Sequence, residues 1–167
     1  MKQERGFTLI EFLVTVAVMA VVAVYFIPQY TSFTKRQKLK TQGEELATHI
    51  KSARNKALSS VQGTSDPVVN YGVMYFTDLN STGIFRKVDR GTVQEWESEA
   101  VEQLTILPEV KVYWPAVDVI FHVPTGGLVG GDKAITICYD NIGQYQINVL
   151  ATGVISLGDR QDVGSCP

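Results

Sequence analysis

The feature that most constrains this chain is an apolar run near its start. From Phe12 to Ile27 no side chain is charged, and between Phe7 and Ile27 the one charge is Glu11. Pro28 follows directly. At about 1.5 Å per residue, a helix over this run spans roughly 30 Å, the thickness of a bilayer's hydrocarbon core. A carboxylate inside such a helix costs on the order of 3 kcal/mol on insertion scales. A segment serving only as an anchor has no use for one, so Glu11 is a candidate functional residue that needs a partner.

The residues before the run suggest that partner. Lys2 and Arg5 make a short basic leader, and Gly6-Phe7 is a small-residue junction at its edge. The string Gly6-Phe7-Thr8-Leu9-Ile10-Glu11 resembles the class III leader of type IV pilins and their relatives. The resemblance implies that a dedicated membrane peptidase cuts after Gly6 and methylates the new N-terminus at Phe7, which makes Glu11 the fifth mature residue. An α-amine at Phe7 would offset a buried Glu11 carboxylate on a neighbouring subunit, and the cost of burial would become a force for assembly. An ordinary single-pass anchor that never assembles is the competing account.

These readings divide the 167 residues into a leader (1–6), a transmembrane or assembly helix (7–27), an amphipathic rear half of the same helix (28–62) and a β-rich head with a C-terminal tail (63–167). The formal net charge is −2, and removing the leader's net +1 (Lys2, Glu4, Arg5) leaves about −3. That balance argues against a generally basic nucleic-acid surface but leaves room for a local patch. Lys35, Arg36, Lys38 and Lys40 lie beyond the run, so charge bias alone is ambiguous about orientation or points the wrong way. The short leader and the resemblance place the N-terminus in the cytoplasm. A secretory signal fits poorly, because the apolar core is too long and Pro28-Gln29-Tyr30 offers no small-residue cleavage site.

Pro28 leaves a carbonyl unpaired and bends or ends a helix. In the proteins this chain resembles, a proline here marks a kink or a segment that melts in the filament. Beyond it, Leu39, Gly43, Leu46, Ile50, Ala53 and Ala57 recur at steps of three and four, one apolar stripe on an amphipathic helix. Gly43, Ala53 and Ala57 let a sheet approach closely, and Gly63 is the expected C-terminal cap. The remainder predicts strands at 68–76, 83–88, 104–107, 110–114, 117–123, 134–139, 145–150 and 154–157, bounded by turn residues. Ile135, Ile137 and Tyr139 alternate with Thr136 and Cys138, as Tyr145, Ile147 and Val149 do with Gln146 and Asn148, which predicts a half-buried antiparallel hairpin. The expected fold is α+β, a long N-terminal helix packed on an antiparallel sheet, as in the pilin fold. Ala53-Arg54-Asn55-Lys56-Ala57, Val119 to Gly127, and Gly153-Val154-Ile155 resemble the minor-pilin and minor-pseudopilin branch.

Cys138 and Cys166 lie on the side expected to be exported, where disulfides persist. A bridge would close a loop of 28 residues and contribute roughly 3.5 kcal/mol on a chain-entropy estimate; two free thiols are the alternative. Asp78, Asn80, Thr82 and Asp89 have part of the spacing of a calcium loop, although Arg86 stands at the ninth position and a plain β-turn explains the same residues. His49 and His122 accompany no nucleophile and read as structural or surface residues. Glu95, Glu97, Glu99 and Glu102 around Trp96 read as a solvated acidic segment. Lys35, Arg36, Lys38, Lys40, Lys51, Arg54 and Lys56 make a basic helix side, open to DNA, to anionic lipid headgroups, or to carboxylates of other subunits.

No enzyme, cofactor or resident metal is expected. The expected function is that of a minor pilin in a type IV pilus or related filament, partnered by other pilin subunits, prepilin peptidase and the inner or cytoplasmic membrane. The expected location is a single-pass membrane protein before assembly, and a surface or periplasmic filament after it. The alternatives are a minor pseudopilin of type II secretion and a DNA-capturing minor pilin for competence.

Overall fold

The computed structural model describes residues 8–60, 67–91 and 93–166. One helix, α1 (Leu9–Ser59), precedes eight strands: β1 (Val68–Phe76), β2 (Ser81–Asp89), β3 (Gln94–Thr105), β4 (Lys111–Tyr113), β5 (Val119–His122), β6 (Lys133–Tyr139), β7 (Gly143–Val149) and β8 (Ile155–Leu157). The 51 residues of α1 make a rod about 76 Å long. Thr8 caps its start and Glu11 closes a capping box with it. At the far end the Ser60 N–H donates to the Lys56 carbonyl at 3.0 Å and the backbone turns extended. The expected cap Gly63 lies outside the described residues, as do Gly6 and Phe7. The helix runs unbroken through position 28, so Pro28 does not end it.

The apolar half is helical against its local preference. Val14, Val16 and Val18 alternate in strand fashion, and β-branched residues are mediocre helix formers in water. In lipid the backbone must close its hydrogen bonds within the segment, and a helix does so.

The rear half follows its stripe. Leu39, Gly43, Leu46, Ile50, Ala53 and Ala57 are all buried, with Ala47 beside them. They lie over both sheets, against β1 and β5 on one side and β6, β7 and β8 on the other. Gly43 is where the backbone comes closest, since a Cβ there would stand 2.8 Å from Ile137 Cδ1.

The head has two four-stranded antiparallel sheets rather than the single sheet expected, ordered β3-β2-β1-β5 and β4-β6-β7-β8. Val73, Ile84, Val119 and Phe121 from the first and Ile135, Ile137, Ile147 and Val149 from the second share one core with the helix stripe. Tyr75 of β1 and Trp114, just past β4, stack with ring centroids 5.9 Å apart and so link the sheets.

Strand β3 is the main departure from the sequence expectation. Twelve residues, Gln94–Thr105, form a strand where a solvated acidic segment was expected ahead of a short strand at 104–107. The neighbouring strand supplies the reason. In register on β2, Glu97 stands opposite Arg86 and Trp96 opposite Lys87. Glu97 pairs with Arg86 at 3.0 Å and with Arg90, and Glu95 pairs with Arg90 at 3.0 Å. The Lys87 ammonium lies 6.0 Å from the Trp96 ring centroid. Strand preference depends on cross-strand neighbours, and opposite charges across a ladder outweigh glutamate's poor intrinsic propensity.

The C-terminal tail is tied to β6 and β7. Cys138 and Cys166 are bonded, with Cα atoms 5.8 Å apart. Gln144 and Gln161 exchange backbone hydrogen bonds of 2.8 and 2.9 Å, and Asp140 accepts from the Cys166 N–H at 3.0 Å. Cys138 is fully buried, although the alternation of β6 sets it on the face away from the core.

Two outcomes follow for urea unfolding of the full chain in detergent micelles, monitored by tryptophan fluorescence. Ile50→Ala should cost about 3 kcal/mol, as large-to-small changes in a closed core do, while Lys51→Ala one position away should stay within about 0.5 kcal/mol. The paired change Cys138→Ser with Cys166→Ser should cost about 3.5 kcal/mol, through the loop it releases in the unfolded chain.

Candidate assembly site

Glu11 sits in the first turn of α1. Its Oε2 accepts from the Thr8 N–H at 2.9 Å and from the Thr8 hydroxyl at 3.0 Å, and Thr8 Oγ1 accepts the Glu11 N–H at 3.3 Å. The carboxylate therefore has a partner inside its own chain, one that the reading of the sequence did not identify. The signal was present as Thr8-Leu9-Ile10-Glu11, a threonine followed three residues later by a glutamate ahead of an apolar run. From Thr8 to Ile27 every side chain is exposed, and nothing in the head covers them. By length and composition α1 is able to cross a membrane.

The residues that carry the branch resemblance meet at one point at the other end of the molecule. Arg54 Nε donates to the Gly126 carbonyl at 3.2 Å. Gly153, with φ +82°, packs against both, and a side chain there would have no room. The helix end, the turn after β5 and the turn before β8 are thus locked together by one arginine.

That commitment interrupts the basic helix side. Arg54 belongs to the head, Lys56 pairs with Glu102 at 3.2 Å, and Lys40 pairs with Glu44 at 3.7 Å. They do not form a continuous free strip for a DNA backbone.

The partial calcium-loop spacing is not gathered into a site. Asp78 and Asn80 lie in the turn between β1 and β2, whereas Asp89 ends β2, nine residues along an extended strand. At about 3.3 Å per residue that separates the two carboxylates by over 20 Å. The Asn80 side chain accepts from Tyr75 Oη at 2.7 Å and donates to the Ile106 and Leu107 carbonyls. Thr82 is fully buried and its hydroxyl is 3.1 Å from His49 Nδ1. Among the described residues no group of three His, Cys, Asp or Glu side chains is placed to hold a metal ion.

His49 projects from α1 onto the first sheet, its Nε2 3.2 Å from the Glu102 carbonyl of β3 and its Nδ1 against Thr82 of β2. Glu102 also takes the Ser52 hydroxyl at 3.0 Å. His122 lies exposed on β5, apart from this cluster. Burial holds the His49 pKa below its ordinary 6.5, against the pull of the Glu102 carbonyl and carboxylate. A depressed histidine pKa means that the unfolded chain binds the proton first, so stability is full above pH 6.5 and falls as the pH drops below it. In acid titrations of unfolding free energy, His49→Gln should flatten the decline between about pH 6.5 and pH 5.

Comparison with known proteins agrees with both halves of this picture. Residues 1–26 match the family described as the prokaryotic N-terminal methylation motif. No curated protein matches the sequence. Among solved structures, the minor pseudopilin EpsH from the type II secretion system of Vibrio cholerae is similar in fold. One structure gives a TM-score of 0.54 at 12% identity, covering 72% of this chain and 95% of the solved chain. A second gives 0.51 at 11% identity, covering 77% and 98%. Residues 1–26 thus match a prokaryotic N-terminal methylation motif, and the fold is similar to that of a minor pseudopilin.

Proposed function

We propose that this chain is a non-enzymatic structural subunit of a pilin-type filament. Prepilin peptidase cuts it after Gly6 and methylates Phe7. The apolar half of α1 holds it in the inner or cytoplasmic membrane with its N-terminus inside the cell, and the same helix then enters the filament core. The observation that carries this reading is a helix surface exposed all the way round from Thr8 to Ile27, with one carboxylate at its start. Lipid can cover that surface, and so can the same surface on neighbouring subunits. Only the second gives Glu11 a use, because the amine made at Phe7 of an adjacent subunit is a stronger partner for a carboxylate than the Thr8 amide.

Of the two filament classes, the fold similarity to EpsH favours a minor pseudopilin of type II secretion. A minor pilin of a type IV pilus is the second reading, and the methylation motif supports it equally. Deleting the gene separates them: loss of protein secretion with piliation intact fits the first, and loss of pili with secretion intact fits the second.

Glu11→Ala should leave membrane insertion unchanged and reduce incorporation into sheared filaments at least tenfold, consistent with the loss of one buried charge pair worth several kcal/mol. Normal incorporation would remove the role given to Glu11. Replacing Gly6 with Val should leave an unprocessed form about 0.7 kDa heavier, six residues at the chain's average mass; mature protein from that variant would move the cleavage point elsewhere.

A further inference from the structure

The first charge after Glu11 is Lys35, and 23 consecutive residues, 12–34, carry none. That stretch is helical throughout and about 35 Å long, enough to fill a hydrocarbon core by itself. A span seated on residues 12–34 leaves Glu11 at the inner headgroup level, where its capping box with Thr8 faces water. Tyr30 and Phe33, both well exposed, then fall at the outer interface, where aromatic side chains are favoured.

Four cations stand where this seating reaches the outer headgroups: Lys35, Arg36, Lys38 and Lys40. They occupy about 8 Å of helix axis, close to the depth of one headgroup layer. At about 100° per residue they fan round roughly 200° of the helix instead of forming one stripe. A protein neighbour meets one face of a helix, whereas a headgroup layer surrounds it. Lys40 is shared with Glu44, and Lys35 lies 5.7 Å from the Tyr139 ring centroid. Arg36 and Lys38 are exposed, with no carboxylate partner among the described residues. Asp140, next to the Tyr139 that Lys35 approaches, is held by Lys111 at 2.8 Å and by the Cys166 N–H. The cluster also runs against the usual charge bias for an exported flank, so anchoring alone does not account for it.

We infer that Lys35, Arg36, Lys38 and Lys40 form a collar that binds anionic phospholipid headgroups of the outer leaflet and seats the head on the membrane before assembly. Leu39, the first fully buried residue of the stripe, lies inside the collar, so the head begins where the headgroups are. The inference rests on the membrane-inserted state proposed above and not on filament entry.

The test uses the full chain carrying Trp96→Phe, reconstituted into vesicles of phosphatidylcholine alone or with a quarter phosphatidylglycerol. Energy transfer from Trp114 to a dansyl-labelled headgroup reports the height of the head. Transfer should be higher on the anionic vesicles and fall to the neutral level near 0.5 M NaCl, where the screening length is about 4 Å. Arg36→Gln with Lys38→Gln should abolish the difference between the vesicles while circular dichroism stays unchanged. Equal transfer on both vesicles would overturn the collar. So would a variant that keeps the lipid difference but is lost from filaments, because that result assigns the cations to a neighbouring subunit. A chain that fails to enter either vesicle would instead overturn the membrane-inserted state itself.

Discussion

A helix that is apolar on every side cannot be satisfied by the chain that carries it. From Phe12 to Ile27 the fold offers α1 no covering surface, and water is the one environment that this stretch must avoid. Everything else in the molecule is compatible with that constraint. The stripe of the rear half begins at Leu39, inside the collar of cations, and the two sheets fold against it. The chain is therefore two solubility problems joined by one helix. One is solved internally by an eight-stranded core, and the other is left to lipid or to other subunits.

Much of this was legible from spacing alone. The stripe at 39, 43, 46, 50, 53 and 57 named the buried face of the helix, because a single apolar stripe in a long polar helix has one physical use. The β6–β7 hairpin was readable from alternation, since the period of two is strict where one face is buried. Strand β3 was not. Its stabilising partners are Arg86 and Lys87 on β2 and Arg90 just past it, and a run of glutamates has no strand signature until those cations stand beside it. The division into two sheets was hidden for a similar reason, because periodicity identifies strands and is silent about which of them pair.

The candidate site was legible in part. Glu11 stood out by its cost in an apolar run. Its local partner went unrecognised because Thr8 was read as part of a processing motif and not as a helix cap. The partial calcium-loop spacing shows the converse, a pattern that the fold does not use. Asp78, Asn80, Thr82 and Asp89 have a suggestive spacing only if the chain curls, and β2 holds it straight. Arg54 illustrates what spacing cannot convey. The sequence showed an arginine between two alanines, and only the fold shows it fastening the helix end to two distant turns through Gly126 and Gly153.

The stripe from Leu39 to Ala57 lies along the same rod that leaves the head, and this has a mechanical consequence. Tension applied to the membrane end of α1 acts along the stripe, so all its packed residues are loaded together in shear over about 27 Å. Peeling from one end, which breaks contacts one at a time and needs far less force, is not available to a pull in that direction. Close-packed interiors resist such sliding because each side chain sits in a fitted gap, and at Gly43 the backbone itself is pressed against Ile137. The molecule is built to be hauled by its tail without losing its head.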